Sequence, residues 1–66
     1  MDFPHLRMPT RADAVHCALV LRETLNELAP NEACDLGAVV ASYRAGEPLT
    51  VSGLERARAA CLRVLC

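Results

Sequence analysis

Six side chains in this 66-residue chain carry thiol or imidazole chemistry: Cys17, Cys34, Cys61, Cys66, His5 and His16. A structural zinc site needs several such ligands converging, with paired cysteines roughly two to four residues apart. Cys61 and Cys66 are five apart, about 500° around a helix, and so leave it on different faces; His16 and Cys17 are adjacent and diverge by about 100°. No metal and no cofactor is expected from this set. A catalytic cysteine needs a base and an oxyanion pocket. Cys34, near the start of the second helix expected below, would feel the helix N-terminus, and His5 or His16 would be its base. A single domain this small has little room to enclose a substrate as well, so no catalytic residue is assigned and the chain is read as not an enzyme. Thiol-based sensing at Cys34 or Cys66 stands as a minor class.

The next chemistry to consider is charge. Seven Arg and no Lys face eight acids, for a net charge of −1. Nucleic-acid binding draws most of its affinity from phosphate neutralisation and usually shows a basic excess. The segment from Ala41 through Gly46 to Ser52, followed by a helix bearing Arg56, Arg58 and Arg63, faintly looks like a helix-turn-helix. Six residues from Gly46 to Val51 are too many for that turn, which takes about three or four. A small dimeric DNA-binding regulator using Arg56, Arg58 and Arg63 is therefore kept as the alternative. The charge is unevenly placed: residues 1–22 sum to +1, residues 23–47 to −4 and residues 48–66 to +2. Glu23, Glu27, Glu32 and Asp35 form an acidic belt that either meets a basic partner surface or is an ordinary solvated face.

Helices must position these groups. Pro4 and Pro9 push Phe3 and Met8 towards extended geometry, so residues 1–9 are expected to be an extended arm, packed through Phe3, Leu6 and Met8. A first helix over about 11–29 follows from Thr10 as N-cap, Asp13 three residues later, and Pro30 as its stop. Its inner seam reads Ala14, Ala18, Leu21, Leu25 and Leu28, widened by Val15 and Leu19. Asp13, His16, Glu23 and Glu27 fall opposite, but Val20 and Cys17 make the first half apolar nearly all round, which calls for something to cover it.

A second helix over about 32–45 takes Asn31 as its cap and Gly46 as its C-terminal glycine. Ala33, Leu36, Val40 and Tyr43, with Val39 beside them, make its inner stripe; Asp35 and Ser42 face away, and Gly37 suggests a close helix crossing. A third helix over about 52–65 starts at Ser52, whose Glu55 partner makes a capping box, in preference to Thr50. Leu54, Ala57, Cys61, Val64 and Leu65 form its apolar face with Leu62 at the margin. No strand is convincing. The fold class is all-α: a small three-helix bundle, or a helical hairpin plus third helix, with an extended N-terminal arm.

Composition bounds the rest. Apolar residues make up 53% of the chain and mean hydropathy is +0.21, too apolar for disorder. The longest apolar-and-Gly run, Leu36 to Ala41, has six residues, short of a secretory signal core and of the ~20 a membrane span needs. Cytoplasmic placement and reduced cysteines are expected. The absence of Lys and Ile beside eleven Ala points to a GC-rich gene and a bacterial or phage source.

The core is Ala, Leu, Val and Cys with one Phe and one Tyr, and small cores leave only about 3–5 kcal/mol net. Burial across an interface is expected, with a larger protein target, a second copy, or both. The function expected is a non-enzymatic helical interaction module that inhibits, escorts or regulates a larger protein. Small phage inhibitors such as anti-CRISPR proteins and secretion co-chaperones share its size and helical class. The contact residues chosen are Phe3, Val20, Leu21 and Tyr43, with Glu23 and Glu27.

Overall fold

Thr10 opens the first helix as its residue type requires. Its hydroxyl accepts the Asp13 N–H at 3.1 Å while its own N–H donates to Asp13 Oδ2 at 3.0 Å, a reciprocal cap. The computed structural model describes residues 5–65, so Phe3 and Cys66 lie outside the described residues. Helix α1 spans Arg11–Thr24, α2 spans Pro30–Ala45 and α3 spans Val51–Leu65. The three helices pack against one another around one core, an all-α bundle.

Helix α1 is five residues shorter than the sequence suggests. Proline disfavours helical geometry in the residue before it, and Ala29 is extended at φ −67°, ψ 153°. The reversal into α2 begins earlier still: Leu25–Glu27 tighten into a 3₁₀ turn and Leu28 is extended, which brings its side chain onto the core. Pro30 is the first residue of α2, where its missing N–H costs nothing. Asn31 is thus inside the helix and does not cap it; Glu32 Oε1 accepts the Ala29 N–H at 3.0 Å instead. Gly46 ends α2 in the left-handed region at φ 70°, and the Glu47 N–H returns to the Ser42 carbonyl at 2.9 Å.

The arm docks through a feature absent from the sequence reading. Leu6–Arg7 (β1) and Leu49–Thr50 (β2) pair antiparallel, Leu6 opposite Thr50 and Arg7 opposite Leu49, and the Val51 N–H donates to the His5 carbonyl at 2.6 Å. Two-residue strands carry no periodicity, so only the pairing reveals them. Because β2 holds the chain extended through Thr50, α3 starts directly after it. Thr50 Oγ1 accepts the Gly53 N–H at 3.0 Å, so Thr50 is the cap and Ser52 is not; the Ser52 hydroxyl accepts Arg56 Nη1 instead. A Cβ at Gly53 would lie 3.1 Å from that capping oxygen, which explains a glycine in the first turn.

The core comprises Cys17, Val20, Leu36, Val39, Leu54, Ala57, Ala60 and Cys61, with Leu21, Leu28, Val40 and Leu49 packed at its edge. None of its buried members is charged. The phase of α1 differs from the expected seam. Ala14, Cys17 and Val20 point inward, whereas Val15, Leu19 and Leu25 are exposed. An almost fully apolar helix has no moment to set its own rotation; the neighbours set it, Cys17 and Val20 joining the cluster with Leu36 and Val39 of α2 and Leu54, Ala57, Ala60 and Cys61 of α3 while Ala14 turns towards α2. In α2, Val39 is innermost and Tyr43 is at the edge; in α3, Leu65 is exposed. Gly37 marks no close crossing, since a Cβ there has nothing within 4 Å. Gly37→Ala is accordingly expected to raise stability by about 0.5–1 kcal/mol, read as a higher urea midpoint at unchanged slope.

Candidate functional site

Helices α1 and α3 run side by side in the same direction. Asp13 near the start of α1 meets Arg58 midway along α3, and Leu19 and Glu23 towards the end of α1 border the same space as Leu65 at the end of α3. They are the least closely packed pair of the three helices, and an open groove lies between them. Three connected hollows follow it. The first, about 350 Å³, lies between Asp13, His16, Cys17, Leu54 and Arg58. The second, about 180 Å³, is bordered by His16, Arg58, Cys61 and Leu62. The third, about 220 Å³, has Leu19 and Leu65 as walls, Val20 at its floor and Glu23 at its rim. His16 borders all three.

Leu19 is 52% exposed, Leu62 63% and Leu65 59%, so three leucines flank the groove with more than half their surface in water. The polar groups are arranged around this strip. At the near end, Asp13 Oδ2 accepts Arg7 at 3.1 Å and Oδ1 accepts Arg58 at 3.0 Å, besides the two bonds from Thr10. Partial burial pushes the Asp13 carboxyl up, but the Thr10 backbone and the Arg58 guanidinium outweigh it and bring it down to about 2. Burial pushes the Cys17 thiol up to about 12 and raises Cys61 as well, so both stay protonated in the resting protein.

The other expected contact residues are scattered. Val20 is 4% exposed and belongs to the core, not to a free face; Leu21 is half-buried against it. Glu23 is exposed at the far end of the groove, and Glu27 is exposed with its carbonyl accepting Arg63 Nη2 at 3.1 Å. Tyr43 sits on the opposite flank of α1, over a shallow hollow with Val15, Ala18, Val40 and Arg44. His16, Leu19, Leu62 and Leu65 form the site without having been assigned to it. The sequence carried no signal for them, because which apolar positions of α1 and α3 stay outside is set by how the helices pack.

The three arginines of the alternative reading do not converge. Arg58 turns towards α1, while Arg56 pairs with Asp35 at 3.6 Å and Arg63 holds Glu32 on the α2 side. The Arg63 hydrogen bonds hold the Glu32 carboxyl below its usual range. Half of the acidic belt thus neutralises α3 within the chain. Cys34 is exposed, but with α2 starting at Pro30 it is the fifth helical residue, beyond the free N–H groups of the first turn. Among the described residues no group of three or more His, Cys, Asp or Glu could hold a metal, and no helix is long and apolar enough to cross a membrane.

No family model, curated protein or solved structure matches this chain. The function therefore rests on the chemistry of the groove.

Proposed function

We propose that the chain is a non-enzymatic helical interaction module that docks its α1–α3 groove on a larger protein and thereby inhibits, escorts or regulates it. The observation that carries this reading is the strip of Leu19, Leu62 and Leu65, each more than half exposed beside an already open groove. Single exposed leucines are ordinary, but contiguous apolar strips rimmed by polar groups mark interaction surfaces. His16, Arg58 and Glu23 supply such a rim. A groove between two parallel helices suits an amphipathic partner helix, whose apolar side chains would displace water from all three leucines. Composition supports a bacterial or phage origin and work in the cytoplasm. A second copy of the chain competes for the same face, and light scattering separates the two: self-association gives twice 7.1 kDa.

The test is recovery of partners from a nuclease-treated bacterial lysate by tagged wild-type protein and by Leu62→Glu. Leu62→Glu is expected to keep the wild-type helical signal and melting temperature, because the side chain is 63% exposed, and to lose the stoichiometric partner by at least about ten-fold. Equal recovery by both proteins, or recovery of nucleic acid alone before digestion, would overturn the reading.

A further inference from the structure

The acids carried by α1 and α2 all lie on the side facing α3: Asp13 pairs with Arg58, Asp35 with Arg56 and Glu32 with Arg63, and Glu23 borders the same hollow as Leu65. The arginines divide accordingly. Arg7, Arg56, Arg58 and Arg63 are held in ion pairs, whereas Arg11, Arg22 and Arg44 are exposed and have no partner among the described residues. Arg11, Val15, Ala18 and Arg22 follow one another at intervals of four, three and four residues, so they form one stripe of α1, with the two arginines roughly 16 Å apart along its axis. That stripe borders α2, because Val15 and Ala18 share a hollow of about 170 Å³ with Val40, Tyr43 and Arg44. Val15 is 49% exposed and Tyr43 40%. No carboxylate lines this hollow.

We propose that the α1–α2 flank is a second docking surface and that its occupant is an acidic amphipathic helix of another protein. Three guanidiniums without partners set up a positive potential along the flank, which carboxylates on an incoming helix complement. Between them, Val15, Ala18, Val40 and Tyr43 offer an apolar floor that takes the apolar side chains of that helix, spaced three and four residues apart. The floor is what favours a protein over a nucleic acid: a phosphate backbone answers the guanidiniums and gains nothing from the strip between them. Tyrosine and arginine are also the side chains that contribute most at protein interfaces. The flank lies across α1 from the groove walled by Leu19 and Leu65, so this inference does not rest on the function proposed for that groove.

The experiment titrates the full chain, labelled with nitrogen-15, with an amphipathic helical peptide of about 18 residues that carries leucines on one face and glutamates along both margins. The same peptide with lysines in place of the glutamates is the control. The glutamate peptide is expected to bind with a Kd at or below about 100 μM, weakening as salt rises, and to shift the amides of Val15, Ala18, Val40 and Tyr43. Arg11→Gln/Arg22→Gln/Arg44→Gln should lower that affinity at least about ten-fold at an unchanged helical signal, and Tyr43→Ala, which alters no charge, should lower it several-fold. Leu62→Glu, on the α1–α3 groove, should bind the peptide as the wild type does, which separates this surface from that one. Equal binding of the glutamate and lysine peptides, wild-type affinity in the triple variant, or no binding at all would each refute the proposal. Shifts centred on Leu19, Leu62 and Leu65 would place the acidic helix in the other groove, and tighter binding of a DNA duplex or of phosphatidylserine vesicles at Val15 and Tyr43 would give the flank a different occupant; either result overturns it.

Discussion

Val20→Asp is expected to unfold the isolated domain, whereas Leu19→Asp, one residue earlier, leaves it folded. Val20 packs within the cluster of Cys17, Leu36, Val39 and Leu54 and is 4% exposed, while Leu19 is 52% exposed at the groove wall. A carboxylate at Val20 has no partner among these apolar neighbours. It must stay protonated or draw water into the core, a penalty on the order of 4 kcal/mol or more. Domains of this size hold about 3–5 kcal/mol in total, so most molecules lose the fold. At Leu19 the same change removes a contact surface that water already covers. Far-UV circular dichroism and urea titration of the two variants decide the matter. A cooperative transition for Val20→Asp beside an unfolded Leu19→Asp would mean that α1 is rotated by about one position from the orientation described.

Asp13→Ala is expected to produce the second-largest loss, about 2 kcal/mol, although the side chain lies at the surface. Asp13 accepts the Thr10 N–H, the Thr10 hydroxyl, Arg7 and Arg58, and so joins the arm, the start of α1 and the flank of α3. Losing the cap alone costs about 1 kcal/mol, and the charged hydrogen bonds add to it. The pH dependence has a fixed sign. Asp13 is held at about 2 in the folded chain against 3.8 for the free carboxyl, so its contribution is complete above the higher value and is lost as pH falls towards the lower. Wild-type stability should therefore decline between about pH 4 and pH 2, by roughly 1–2 kcal/mol from this group. Asp13→Ala should start lower and decline less, the remaining slope coming from Glu32, which Arg63 also holds down. Urea midpoints across that interval give both numbers. Identical slopes for variant and wild type would remove Asp13 from this role.

Much of the local structure was legible because it rests on local chemistry. Thr10 with Asp13 and Gly46 as a terminator each act within a few residues of themselves and stand where the sequence places them, whereas Pro30, expected to stop α1, opens α2 instead, α1 having ended at Thr24. Where two local signals competed, distant contacts chose between them. Thr50 and Ser52 both qualified as caps; pairing of β2 with the arm settled on Thr50. Asn31 lost to Ala29 because Pro30 prefers the first helical position and Glu32 reaches back. The acidic middle and the basic end were visible as charge, and their meaning as internal partners became visible only when α3 lay beside α2.

The groove was the least legible part. It depends on which of seven neighbouring apolar or thiol positions on α1 turn inward, and a helix apolar nearly all round leaves that rotation undetermined. Val20 was read as surface and Leu19 as core; packing against α2 and α3 together reversed them. By itself the sequence determined an all-α chain of three helices, their approximate extents, an arm that cannot be helical, and the absence of a metal-ligand spacing, because periodicity, capping and proline geometry act over one or two turns. Tertiary structure alone decided the rotation of α1, the burial of Cys17 and Cys61 in one core and the exposure of Leu19, Leu62 and Leu65, because each depends on how helices distant in the chain pack.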